Sequence, residues 1–328
     1  MIDRRQLLST LSAVAAAPFL LRPAQAAAPA SIRLATVKFG SVNWLVETIK
    51  AEGFDKKHGF EIVPLEVANN QAGPVALMAG DADVIVSDWT WALRQRAKGD
   101  DFKFSSYSSA LGSVMVQKDS TITSLADLKG KKLGVAGTAI DKSWILLRAY
   151  ARKSLGKDIT ELVQPVFGAP PLISEEFKSG HLDACLNFWT HAARLQGGGA
   201  KQLLSMADVL KELGITPTPP LVGFIWSEKA AKDKSLPIDG LLAAAHEANE
   251  VLKSDAAWER LKPLVKPATD EEFAAIKAYF RSGITTPWTA EQTASAEKLT
   301  KLLIELGDQE LVGDGTRFDA NLFHVAAG

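Results

Sequence analysis

Ser124-Leu125-Ala126-Asp127-Leu128-Lys129-Gly130-Lys131-Lys132-Leu133-Gly134-Val135-Ala136-Gly137-Thr138 holds a helical turn, a strand and the opening of a longer helix in one short stretch. Ser124 is a hydroxyl at the start of the turn and Gly130 stops it. Lys132 to Ala136 reads as a strand, and Gly137-Thr138 is expected to open a helix through Ala151. Beyond it come a strand near Leu162 to Phe167, a helix from Pro170 to Ser179 and a strand at Ala184 to Phe188. The same order occurs upstream. Ile32 to Phe39 alternates as a strand, Trp44 to Gly53 has helical spacing, and Phe60 to Val67 is the next strand. Gly73 to Ala79 is a short helix, Ala82 to Val86 a buried strand and Trp89 to Ala97 a third helix. Strands alternating with helices build a mostly parallel sheet covered by helices, and two such runs make two α/β lobes.

Phe102 to Ser109 and Ser113 to Val116 are extended segments that carry the chain from the first lobe to the second. Thr216-Pro217-Thr218-Pro219-Pro220 breaks any helix and leads back into a strand at Leu221 to Ser227. From Glu228 to about Leu306 the pattern is mostly helical. The expected partition is residues 27–109 with 220–328 in lobe 1 and 110–219 in lobe 2, with hinges at Tyr107 to Gly112 and Pro217 to Gly223. Sheets of this kind take ligands at the carboxyl ends of their strands, so a cleft between the lobes is the expected site.

The composition narrows the choice. Of 328 residues 47% are hydrophobic and 23% charged, ample for a packed core. Lys plus Arg number 37 and Asp plus Glu 38, a net charge of -1, which offers no basic field for nucleic acid. Cys185 is the single cysteine, so neither an internal disulfide nor a CxxC zinc site is available. Residues 1–26 read as a cleaved export signal: Arg4 and Arg5, an apolar run from Leu7 to Leu21, then Pro23-Ala24-Gln25-Ala26 with small residues before the cut. Arg4-Arg5-Gln6-Leu7-Leu8 resembles a twin-arginine signal, with an ordinary Sec signal as the alternative. The mature chain is then a periplasmic protein.

The strand ends carry the chemistry. After the first strand, Gly40 permits a turn, Ser41 or Asn43 can cap the next helix, and Trp44 can form a wall. Asn69-Asn70-Gln71 places three amides after the second strand, with Gln71 nearest the helix. Ser87-Asp88-Trp89-Thr90-Trp91 sets a hydroxyl, a carboxylate and two indoles where a buried strand surfaces, which suits stacking on a flat or cationic ligand. In the second half, Gly137, Thr138, Asp141 and Trp144 cluster about a helix start. Asp141 and Lys142 could contact a charged ligand or form a solvated pair. Asn187-Phe188-Trp189-Thr190-His191 ends the set, with Trp189 as its aromatic. Each segment also has a plain reading as helix cap and core. No G-x-S-x-G elbow, Walker loop, dinucleotide fingerprint or metal-spaced histidine cluster is present, so binding is expected rather than catalysis, with no cofactor and no metal.

Three segments in register carry a family resemblance: Asp127-Leu128-Lys129-Gly130-Lys131-Lys132-Leu133-Gly134-Val135, Leu77-Met78-Ala79-Gly80-Asp81-Ala82-Asp83, and Glu176-Phe177-Lys178-Ser179-Gly180-His181-Leu182-Asp183-Ala184. With these the chain resembles the periplasmic substrate-binding proteins of ABC importers of the nitrate, sulfonate and taurine type over residues 31 to 300. The resemblance implies a type II periplasmic-binding fold, a small organic ligand held in a hinged cleft, a monomer, and delivery to an inner-membrane permease. It carries ligand roles onto Ser41 to Trp44, Gln71, Ser87 to Trp89, Gly137, Thr138 and Trp189. Those segments hold four indoles with Trp144 included, and no arginine, which sets the chain apart from binders of small oxyanions. Enzymes on the same fold, a ligand-presenting sensor protein and a metal carrier are the rival readings.

Overall fold

The computed structural model describes residues 30–306 apart from 39 and 70, together with 313 and 315–324. The export segment, Phe39 and Asn70 lie outside the described residues. The first βα run forms β1 (Ala30–Val37), α1 (Val42–Glu52), the short α2 (Phe54–Lys57), β2 (Phe60–Val67), α3 (Ala72–Ala79), β3 (Val84–Asp88), α4 (Trp89–Arg96) and β4 (Phe102–Ser108). The second forms β5 (Ser113–Val116), β6 (Lys132–Ala136), α5 (Lys142–Leu155), β7 (Gln164–Gly168), α6 (Pro170–Lys178), β8 (Ala184–Asn187), α7 (Trp189–Gly197), β9 (Lys201–Ser205) and α8 (Met206–Glu212). There follow β10 (Val222–Ser227), α9 (Glu228–Asp233), α10 (Ile238–Leu252), α11 (Asp255–Val265), α12 (Asp270–Ser282) and α13 (Ala290–Leu306).

Two five-stranded sheets result, ordered β2-β1-β3-β10-β4 and β7-β6-β8-β5-β9. In the first, β1 runs parallel to β2 and β3, while β10 is antiparallel to β3 and β4. In the second, β6 runs parallel to β7 and β8, while β5 is antiparallel to β8 and β9. Each sheet thus has one reversed strand supplied by a crossing of the chain, and the architecture is the mixed α/β one expected from the alternation. Glycine punctuates it where the helix must end. Gly53, at φ 70°, sends its N–H back to Ile49 and Lys50 carbonyls and closes α1. The turn before β6 is a 3-10 helix whose Ser124 and Asp127 form a reciprocal capping box.

One helix start differs from expectation. Gly137 and Thr138 lie in a turn rather than in α5: Gly137 has φ 102°, and the N–H of Asp141 donates to the Thr138 carbonyl at 2.9 Å. The helix begins after Asp141 because that carboxylate accepts from the Ser143 N–H at 2.8 Å, a cap a backbone glycine cannot supply. Three elements, the one-turn α2, β9 and α8, have no counterpart in the sequence reading. β9 is an edge strand with no buried residue, so its sequence lacks the apolar alternation by which strands are recognised.

The lobes share their cores. One apolar cluster joins Ile85, Trp89 and Phe104 of the first sheet region with Val114, Leu133, Trp144 and Leu186 of the second, and adds Ala296, Leu299 and Leu303 of α13. A second, on the other face of the first sheet, holds Ile32, Leu34, Trp44, Trp258 and Phe280 together with Ala193 of α7. A third holds Met115, Ile173, Phe177 and Cys185. Strand period does this: in β8, Ala184 and Leu186 enter the shared cluster while Cys185 points into the third. The chain crosses between sheets at 109–112, at 213–221 and again before α13, which packs on α5. At the first crossing Ser109 N–H donates to Gly283 O and Gly112 O accepts from Met206 N–H. A side chain at Gly112 would sit 2.0 Å from the Asn187 carbonyl oxygen, so only glycine fits.

Candidate ligand site at the seam between lobes

Parallel strands place their carboxyl ends on one edge of each sheet, and the residues just past those ends meet across the seam. Asp88, the last residue of β3, reaches Lys142, the first of α5, with Nζ 3.0 Å from Oδ2. Trp44, early in α1, meets Trp189, the first of α7, edge to face with ring centroids 6.0 Å apart at 83°. The sheets therefore face each other carboxyl end to carboxyl end, β3 opposite β6 and β1 opposite β8. One contact is ionic and the other aromatic.

Asp88 is built to stay charged. It caps α4, accepting from the Trp91 N–H at 2.9 Å, and also accepts from the Thr90 hydroxyl. Burial opposes ionisation, but Lys142, Thr90 and Trp91 outweigh it and bring the carboxyl down to about 2. Lys142 is also burdened by burial, yet Asp88 and Asp141 raise its affinity for its proton, with Arg94 acting against them. Asp141 moves the other way: burial lifts its carboxyl above the ordinary range despite Lys142 and the Ser143 N–H.

The remaining candidates fall into distinct environments. Ser41 is buried and its Oγ accepts from the Tyr107 hydroxyl at 3.1 Å, but neither it nor Asn43 makes a side-chain cap on α1. The Asn43 amide is spent on the loop, donating to the Val37 and Lys38 carbonyls at 2.9 and 3.0 Å. Gln71 and Thr138 are exposed, and Ser87 is half-buried. Trp89 and Trp91, expected to stack on a ligand, are 0% and 9% exposed, and Trp144 and Trp44 are as enclosed, at 1% and 3%. Trp89 packs on Phe323 and gives its Nε1–H to the Pro220 carbonyl, and Trp144 packs on Phe167. Large rings beside a sheet edge gain more from filling the core than from facing water, and the local sequence is the same in either case. Trp189 alone of the five is half-buried.

Lys142 is the residue whose weight the sequence understates. A cation at the first position of a helix opposes the helix dipole, and that misfit is the available signal. His191 is internal to lobe 2, its Nδ1 3.2 Å from Ser174 Oγ, and burial followed by Arg194 and Lys178 lowers it to about 4. Away from the seam, an open groove of about 320 Å³ lies at the amino end of β1, lined by Ala30, Ser31, Arg33, Asp83, Lys234 and Leu236. There Asp83 is shared by Arg33 and Lys234, each at 2.7 Å. Among the described residues no three His, Cys, Asp or Glu side chains are grouped to hold a metal ion, and no helix is long and apolar enough to cross a membrane.

A sequence profile described as NMT1/THI5 like matches residues 48–255. The chain belongs to the NMT1/THI5-like family. By sequence, 212 residues, 63% of this chain, are 26% identical to a Haemophilus influenzae protein whose name refers to thiamine biosynthesis. That match spans 65% of the relative's length. By structure, the family member is similar to the periplasmic aliphatic sulphonate binding protein SsuA from Escherichia coli. The TM-score is 0.72 at 20% identity, covering 92% of this chain and 94% of that one. The alkanesulfonate-binding protein SsuA from Xanthomonas axonopodis pv. citri, bound to MOPS, gives a TM-score of 0.70 at 19% identity, with coverage of 91% and 99%. At these identities the likeness establishes the periplasmic-binding-protein fold.

Proposed function

We propose that this chain is the solute-capturing component of an ABC import system, a periplasmic protein that closes its lobes on a small organic molecule and delivers it to an inner-membrane permease. The observation that carries the reading is the head-to-head meeting of helix starts from opposite lobes at Asp88 and Lys142 and at Trp44 and Trp189. A molecule lodged between those ends touches both lobes only when they are together, so its contacts shift the open-to-closed population. Similarity of fold to sulfonate-binding proteins supports the same role. On this reading Ser87, Asp88, Thr138, Asp141, Lys142 and Trp189 are the groups within reach of the ligand, and the buried Trp44, Trp89 and Trp144 support the walls.

The test is a thermal-shift panel of sulfonates, amines and aromatic acids on the mature chain, followed by small-angle scattering. A compound that binds only the folded protein raises its melting temperature, and capture by closure also reduces the radius of gyration. Loss of uptake of that compound on gene deletion ties it to transport. Stabilisation without compaction would sink lobe closure; turnover of the compound would favour an enzyme, the reading suggested by the relative's thiamine name.

A further inference from the structure

We infer that Asp88 sets the charge selectivity of the seam, closing Lys142 to simple anions and admitting a ligand that brings its own cationic or neutral donor group to the Asp88 carboxylate. The inference rests on the ligand-capture reading above. Nothing in α5 itself calls for a cation at its first position, where the helix dipole is unfavourable, so the place of Lys142 is explained by what it meets. It meets Asp88 of the other lobe at 3.0 Å. Asp88 is not held by that partner alone, since the Trp91 N–H and Thr90 hydroxyl of its own loop also donate to it.

The charges acting on Lys142 are Asp88 and Asp141 on one side and Arg94 on the other. With Lys142 itself, these are two acids and two bases, a balanced set. Arg94 has an interaction of its own and is not spare. An alkanesulfonate entering this end of the seam thus finds a lysine already neutralised and two carboxyl groups nearby. A like charge in a partly dry site costs more than a lone surface lysine returns. A ligand that offers an ammonium, amidine or neutral N–H to Asp88 releases Lys142 for its acidic or polar part and leaves the balance intact.

Asp88→Asn removes the charge and keeps the α4 cap, because asparagine caps a helix as well as aspartate. The probe is ethanesulfonate, titrated by calorimetry at fixed ionic strength against wild type, Asp88→Asn and the double variant Asp88→Asn/Lys142→Met, with circular dichroism confirming the fold of each. The expected result is binding to Asp88→Asn tighter than to wild type by about tenfold or more, and loss of the gain in the double variant. Equal affinity of wild type and Asp88→Asn would overturn the inference, as would a gain that survives removal of Lys142. If wild type itself binds ethanesulfonate and compacts on it, charge selectivity falls while ligand capture stands. If Asp88→Asn gains nothing while another compound of the panel still compacts wild type, selectivity again falls alone.

Discussion

At the scale of single residues, the same residue type does different work according to where its strand ends. Trp89 and Trp189 both open a helix after a buried strand, yet Trp89 is fully enclosed and Trp189 half-exposed at the seam. Trp89→Ala is therefore expected to destabilise the fold by about 3–5 kcal/mol in chemical denaturation, as large-to-small changes in packed cores do. Trp189→Ala should cost less than Trp89→Ala while abolishing most of the ligand-induced rise in melting temperature. Equal losses from the two would place Trp189 in the core with its neighbour. Asp88 supplies a pH test. Its carboxyl is lowered in the fold to about 2, so its stabilising effect is present above the unfolded value of about 4 and is lost as pH falls toward 2. Asp88→Asn should therefore be less stable than wild type at neutral pH by about 1–2 kcal/mol, with the gap shrinking on acidification below about pH 4. A gap independent of pH would mean that the charge does not carry the effect.

Among elements, α7 is the piece that joins the lobes. Its Leu195 and Ala192 face lobe 2, while Ala193 enters the cluster around Trp44 and Trp258. Its far end lies so close to α12 that a side chain on Gly197 would be 2.3 Å from the Glu272 Cα. Arg194 secures the crossing through Glu272 and the Val265 carbonyl, the latter at 2.7 Å. Gly197→Ala should push α12 away and lower the melting temperature by several degrees, an effect of about 1–3 kcal/mol for overpacking against backbone. A neutral outcome would show that α12 yields freely. His191, on the same helix, is held neutral: its folded value of about 4 lies below the ordinary 6.5. The unfolded chain then binds the extra proton first, so stability falls as pH drops through the interval between about 6.5 and 4. His191→Gln should flatten that slope, readable as melting temperature against pH; an unchanged slope would assign it to other groups.

For the whole molecule, the two sheets are not independent bodies linked by tethers. One of the three apolar clusters contains residues from both, a second joins Ala193 of α7 to the first sheet, and α13 returns to pack on α5 after α12 has docked on α7. Movement of the lobes must run through the crossings, where Gly112 and Gly283 bring backbones into contact. The Asp88–Lys142 pair is the ionic contact that such movement would break at the strand ends. Asp88→Asn should accordingly raise the radius of gyration of the ligand-free chain, and an unchanged value would show that the aromatic contact of Trp44 with Trp189 suffices to hold the lobes.

Much of this plan was legible in the residues. The alternation of strand and helix, the proline run at Thr216 to Pro220 and glycine at Gly53, Gly80 and Gly130 mark local preferences, which act through near neighbours and so survive in a linear reading. The mixed α/β architecture followed from them. Which strand-end residues face one another did not. Whether Trp89 turns inward or toward a ligand, and whether Lys142 is a solvated charge or the partner of Asp88, depends on surfaces supplied by distant segments such as Pro220 and Phe323. Burial and pairing are properties of the folded assembly, and only the tertiary structure settled them.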